Sequence, residues 1–399
     1  MHLRVALIAA CAAYAAPITA QTRGLSRSDA VQTAIERGAR LGVARADTAV
    51  ANAGLITARA RPNPAVAASY SKSIPNYHAA VDIPIDFPWL RQLRVRAAEL
   101  GLQAAELRYQ LARATIALDA DTTYTHAIAA RDRLALSQRT ALDADSLLRI
   151  VTRRRDAGDA SDMDVELARV NAGREENVAA ADSLTLISSL LDLQATLGIS
   201  SERLEIQATD SLVEPPDAAV PGRTLNEAAA GTSLESATLN ARLQHRSLWL
   251  TPIVSLGFEF KDPDYPGLLP TFGLGIGIPL FDRNRGPIAQ AEAERARAGA
   301  EVTLAQIEAR NQIAHAQRMR ENALARVARD RQVVASATRV AAMSVTAFRE
   351  GAASLTNVLE AQRTARDVLA QYIDDLAAAW IATAELRALA ISPVPSSKP

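Results

Sequence analysis

The 399-residue chain carries 44 basic and 44 acidic residues, so no net charge draws it to nucleic acid or to an acidic surface. Aromatic residues make up 4% of it, and its alanine-rich composition is that of long, close-packed helices rather than of a broad aromatic core. The basic residues are nearly all arginine, with lysine only at positions 72, 261 and 398.

The N-terminal MHLRVALIAACAAYAAPITAQ reads as a secretory signal peptide: a short basic start, an apolar run from Val5 to Ala16, then the helix-breaking Pro17. Cleavage is expected after Ala20, and the run is too short to span a bilayer permanently. Cys11 follows Ile8-Ala9-Ala10 in the manner of a lipoprotein processing site, but cleavage there would leave an apolar segment of only about seven residues. Cut after Ala20, the mature chain has no cysteine and therefore no disulfide.

The first repeat is assigned to residues 21–198. Ser28 and Asp29 start a helix that Gly38 and Gly42 loosen and that Pro62 and Pro64 end. The apolar period then changes from 3.6 to 2, the signature of strand. A strand over about 64–73 places Val66, Ala68 and Tyr70 on one face. After a turn at Ile74-Pro75-Asn76, a strand over about 79–88 aligns Val81, Ile83, Ile85 and Phe87 against Asp82, Pro84 and Asp86. From Leu90 to about Arg153 a heptad seam runs without proline through Ala97, Leu100, Ala104, Leu107, Ala114 and Ile128, with Asp121 and Thr125 as its polar members. Such a helix is about 95 Å long at 1.5 Å per residue, too long for a compact globule. A second helix over about 162–197 stops at Gly198, and residues 199–224 read as an irregular linker marked by Pro215-Pro216 and Pro221-Gly222.

The second repeat, 225–389, replays this order. A helix stops before Pro252. A strand over about 252–261 alternates Val254, Leu256, Phe258 and Phe260 with Ser255, Gly257 and Glu259, and another over about 270–281 alternates Leu274, Ile276 and Ile278 with Gly273, Gly275 and Gly277. VDIPIDF matches GIGIPLF, with Pro84 set against Pro279. Long helices follow over about 287–348 and 354–389, and the tail 390–399 is expected to be disordered.

Each long helix pair is joined by the same short sequence. A shift of 193 residues superposes Gly158 on Gly351, Ser161 on Ser354, Asp164 on Asn357 and Val165 on Val358. In both copies glycine stops one helix and serine caps the next, with an acid or amide three residues on to complete a capping arrangement. The chain must fold back there as a tight hairpin.

Strands of about ten residues with one apolar face suit a hydrocarbon layer, the apolar faces toward lipid and the Gly, Ser, Asp and Glu faces toward a lumen. Four strands cannot close by themselves, and open sheet edges are not tolerated in lipid, so the chain must share its barrel with copies of itself. The Ala-rich helices would continue that barrel as a tube. Other motifs read more plainly. Gly273-Leu-Gly-Ile-Gly alternates within a strand and is not a nucleotide loop. His78, His126, His245 and His315 lack metal-ligand spacing and read as surface or solvated helix positions. Asp121 either meets an arginine of a neighbouring helix or marks a local rotation of the seam. The Arg153-Arg154-Arg155 run either answers the last carbonyls of its helix or meets a partner. No Ser-His-Asp order, H-E-x-x-H, P-loop or paired-carboxylate cleft is present, so neither an enzyme nor a cofactor is expected.

The duplicated order, L-S-x-x-D-A-V-x-x-A-I at Leu25 to Ile35, P-x-x-x-x-x-Y at Pro64 to Tyr70 and the tip motif R-x-x-x-G-x-x-S-x-x-D-V at Arg154 to Val165 together resemble the TolC-type outer-membrane efflux proteins. The resemblance covers residues 25 to 390. It implies a mainly α fold with a transmembrane β-barrel contribution: a homotrimer with a twelve-stranded barrel in outer-membrane lipid and a helical periplasmic tunnel. It implies a passive exit duct that docks onto a periplasmic adaptor serving an inner-membrane pump. The tips facing that adaptor fall on Gly158, Ser161, Asp164, Gly351 and Ser354, and the periplasmic aperture on Asn357 and Glu360. Position 357 departs from the family's acid, leaving Glu360 to supply one ring of three carboxylates. A periplasmic adaptor or coiled-coil scaffold is the competing reading of such long hairpins. Its single hairpin would be flanked by small β domains instead of two lipid-length strand hairpins.

Overall fold

A computed structural model describes residues 23–391, apart from 201–202, 205, 220, 248–251, 266 and 279–280. The expected signal peptide with Cys11, most of the tail and the Pro279 counterpart of Pro84 lie outside the described residues.

Strand β1 (Arg23–Leu25) leads into α1 (Arg27–Arg37) and α2 (Ala39–Arg59). The cap of α1 is Ser26, two residues before the expected start. Its hydroxyl accepts from the Asp29 amide, while Asp210 receives the Arg27 amide at 2.8 Å. Only Gly38 breaks the helix. A Cβ there would collide with the Ala34 carbonyl, whereas Gly42 lies within α2.

Strands β2 (Ala65–Tyr70), β3 (Tyr77–Pro84), β5 (Ile253–Phe260) and β6 (Leu269–Gly275) form one antiparallel sheet in the order β2-β3-β5-β6. They are shorter than the ten residues expected. Proline has no amide hydrogen, so the ladder stops near Pro84, with one further bond from the Ile85 amide to the Pro252 carbonyl. Phe87 lies beyond the strand and precedes the first turn of the next helix, which Pro88 opens. The registers Val66↔Val81, Val81↔Leu256 and Leu256↔Phe272 put apolar residues in one cross-strand row. The row Asp82↔Ser255↔Gly273 lies on the opposite face.

Two helices carry the length of the molecule, α3 (Pro88–Asp156, 69 residues) and α6 (Arg285–Arg349, 65 residues). Near the sheet they pack in the layer α2-α3-α5-α6, where α5 is Leu225–Arg246. Beyond it they pack in the layer α4-α3-α7-α6, with α4 (Asp162–Thr196) and α7 (Leu355–Leu389). The predicted seam of α3 is the buried one: Ala97, Leu100, Ala104, Leu107, Ala114, Thr125 and Ile128 are all nearly sealed from solvent.

Between the two layers sits the largest core, and it corrects the linker. Residues 206–208 form a strand, β4, that pairs in parallel with β1. Around this belt Leu25, Ala34, Ile116, Tyr124, Ile128, Leu193 and Leu197 pack together. The Tyr124 hydroxyl donates to the Leu25 carbonyl at 2.8 Å, and burial pushes its phenol above the ordinary value, keeping the proton it donates. Asp121 meets an arginine of a neighbouring element: it pairs with Arg27, whose guanidinium also bonds Thr125 at 2.8 Å and lies 3.9 Å from the Trp380 ring centroid.

Candidate functional site

At the end of the molecule away from the sheet, the two helix reversals lie side by side. Gly158 has φ +85° and Gly351 φ +77°, a backbone region that glycine enters without a steric cost. Each closes its helix the same way. The Gly158 and Asp159 amides return to the Arg155 and Arg154 carbonyls, and the Gly351 and Ala352 amides to those of Phe348 and Ala347. The next helix then begins at once. Ser161 forms a complete capping box with Asp164, whose carboxylate accepts from the Ser161 amide at 3.0 Å.

The second reversal has only half of that box. Ser354 accepts from the Asn357 amide at 3.3 Å, but no reciprocal bond from the Ser354 amide to the Asn357 side chain forms. The expected completion by an amide is therefore corrected. Asn357 and Glu360 sit one turn apart on the exposed face of α7, opposite the buried Leu355 and Val358. Asp164 is engaged in its own cap, while Gly158, Ser161, Gly351 and Ser354 are all exposed.

The two reversals form one body. Leu147, Val151, Val165 and Ala168 of the first hairpin pack with Phe348, Leu355 and Val358 of the second. Arg154 ties them: its Nη1 donates to the Phe348 carbonyl at 2.6 Å, its Nη2 to the Asp159 carbonyl at 3.4 Å, and its guanidinium lies 4.8 Å from the Phe348 ring centroid. The guanidinium thus joins the negative dipole end of α6 to the turn that follows α3. Arg155 turns instead to Asp156 and Asp162. The sequence offered Arg154 as the start of the tip motif and as one of three arginines, without its partner. Its partner Phe348 carried no signal, because the contact spans 194 positions of chain.

Above the tips a second tie joins α4 to α7. Arg366 Nη1 reaches both carboxylate oxygens of Glu175, at 2.6 and 2.7 Å, and both side chains are largely buried. A buried pair of this kind is costly to break from one side only.

At the opposite end the sheet is two-faced, and its rims are aromatic. Tyr77 stacks on Phe260 at 5.0 Å and meets Tyr70 at 5.2 Å, with Lys261 5.3 Å from the Tyr77 ring centroid. At the other rim Phe87 stacks on Trp89 at 4.5 Å. The apolar face between them is bare, with Val66 79% and Phe272 81% exposed. On the polar face His78 bonds Glu259 at 3.1 Å and Ser255 bonds Asp82, so His78 is a paired strand residue, not a solvated helix position. His245 is likewise paired, with Glu292 at 3.0 Å. Among the described residues no cluster of three metal-ligating side chains occurs, and no helix is long and apolar enough to cross a membrane.

Comparison with known proteins agrees with this architecture. The sequence profile of the outer membrane efflux protein family matches residues 269–390. The chain is similar to the cobalt-zinc-cadmium resistance protein CzcC of Cupriavidus metallidurans, 24% identical over 330 residues that cover 80% of this chain and 79% of that protein. In fold it is similar to the CmeC outer membrane channel of Campylobacter jejuni, with a TM-score of 0.76 at 15% identity over 91% of this chain and 85% of the other. It is also similar to the outer membrane protein VceC of Vibrio cholerae, with a TM-score of 0.73 at 18% identity over 91% of this chain and 96% of the other. The fold is therefore that of these outer membrane channels, and residues 269–390 match the outer membrane efflux protein family.

Proposed function

We propose that this protein is the outer-membrane exit duct of a tripartite efflux system, a passive conduit with a large periplasmic portion. The observation that carries the reading is the two-faced sheet with a bare apolar surface between two aromatic rims, set on helices about 100 Å long. That is the outward surface of a membrane barrel, whose apolar band lies between aromatic girdles. A free-standing adaptor or scaffold has no use for such a face, since water would solvate it at a cost.

The chain is incomplete by itself. Strands β2 and β6 are the margins of the sheet, and α4 and α6 the margins of the tunnel layer. Along those margins lie exposed apolar residues, Met163, Leu167 and Val170 on α4 and Val333, Val340 and Met343 on α6. Three copies would supply twelve strands, above the roughly eight with which bacterial barrels begin. In such a homotrimer the tips at Gly158, Ser161, Gly351 and Ser354 face the periplasm as the docking point for an adaptor and inner-membrane pump. Asp164 serves that surface by shaping its cap. Asn357 and Glu360 line the aperture, where three copies of Glu360 make a carboxylate ring that favours cations. The relative named for cobalt, zinc and cadmium resistance suggests divalent transition-metal cations as cargo.

Sedimentation of the detergent-extracted protein tests the assembly. A trimer retained in carbonate-washed membranes is expected, and a water-soluble monomer would overturn the reading.

A further inference from the structure

Beyond the tips, two acidic side chains meet between α6 and α7, and one of their buried carboxylate oxygens has no donor. Asp375 of α7 is 3% exposed and accepts from Arg326 Nε of α6 at 2.8 Å. Asp330 stands one turn beyond Arg326 on α6, its carboxyl against that of Asp375 and its Oδ2 buried without a donor. The linker straps this spot. Leu212 packs on Val327 and Leu376, the Trp380 indole donates to the Val213 carbonyl, and Arg331 meets Glu214 at 2.9 Å.

We propose that Asp330 keeps its proton and donates it to Asp375, and that this proton latches α7 onto α6 beneath the linker strap, making the hairpin that carries the second tip responsive to pH. With one proton the two carboxyls carry one negative charge, which Arg326 balances. Without it a second charge stands against Asp375, with a buried oxygen that no donor answers. On α6, Arg326 and Arg329 favour the ionised form of Asp330, while Arg331 is committed to Glu214 and Tyr372. On α7, Asp374 adds negative charge, and of its neighbours Arg133 of α3 opposes that charge while Asp182 of α4 reinforces it. Burial first, and then Asp375, pushes the Asp330 carboxyl above the usual carboxylate range. Burial likewise raises Asp374. The sign follows from a raised acid: the stabilisation is complete below the unfolded value near pH 4 and is lost as pH rises through the folded value.

The latch rests on reading α6 and α7 as tunnel helices, but its test does not require that the channel conduct. Hydrogen exchange of the full-length protein in detergent would be followed between about pH 5 and 9 and corrected for the intrinsic chemical rate, with α3 and α4 as internal reference. In the wild type, opening of the segments around 323–330 and 372–379 should rise by up to about tenfold per pH unit across the titration. In Asp330→Asn, whose amide donates to Asp375 at every pH, the same segments should show no such dependence. Equal pH profiles in the two proteins, or a flat wild-type profile, would overturn the proposal. Infrared spectroscopy of the wild type needs no variant to fold: a protonated carboxylic acid carbonyl band persisting above the pH at which exposed carboxylates ionise is expected, and its absence there would equally refute the latch.

Discussion

Arg154 shows how much of a helical tip depends on one side chain. Its planar fork reaches carbonyls of two hairpins at once, and its face lies on the Phe348 ring. Lysine would keep the charge but lose the second bond and the stacking surface. Arg154→Lys should therefore loosen the paired tips by about 1–2 kcal/mol, read as a roughly 5- to 30-fold rise in amide exchange around Phe348 and Gly351. At this scale the sequence was informative wherever the physics is local. Gly158, Ser161 and Asp164 sit within seven residues of one another, and their turn and cap follow from spacing alone. It was less informative where the same spacing holds a different side chain, since Asn357 does not return the bond that Asp164 makes. It was silent where partners are far apart in the chain. Asp121 was an anomaly on a seam until Arg27, 94 positions away, came to lie beside it.

At the scale of elements the long helices obey a simple rule. Buried alanines of α6 fall at 291, 298, 305, 309, 316 and 323, a heptad spacing interrupted once by a step of four. Such a stutter relaxes the supercoil locally. It lies where α6 passes from one neighbour to another: Leu304, Ala305 and Glu308 border the start of α5, while Arg320 bonds Thr383 of α7. Small side chains on this seam let the backbones approach closely. Ala323 is 1% exposed among Val327, Leu376 and Ala379, so Ala323→Leu should cost about 1–3 kcal/mol by overpacking and lower the melting temperature in detergent. The long helices and the alternating strands were legible because periodicity accumulates over many residues. The belt strands β1 and β4 were not, because three residues carry no measurable period and their pairing is decided by the packed helices around them.

For the whole molecule, the unfinished margins are the organising fact. A sheet with two free edges and a bare apolar face is unstable in water and unacceptable in lipid until copies of the chain close it. The aromatic rims, formed by contacts such as Tyr77 with Phe260 across a strand pair, add a thickness to that argument which strand length alone left too short. Closure would gather the tips into a ring, with Glu360 as the one acid of the proposed aperture. Conductance of the purified protein in planar lipid bilayers, recorded for the wild type and for Glu360→Gln, tests this account most directly. It predicts discrete channels that prefer cations, with the preference reduced in the variant. A protein that inserts no channels would contradict the duct itself, and an unchanged selectivity would place the aperture elsewhere.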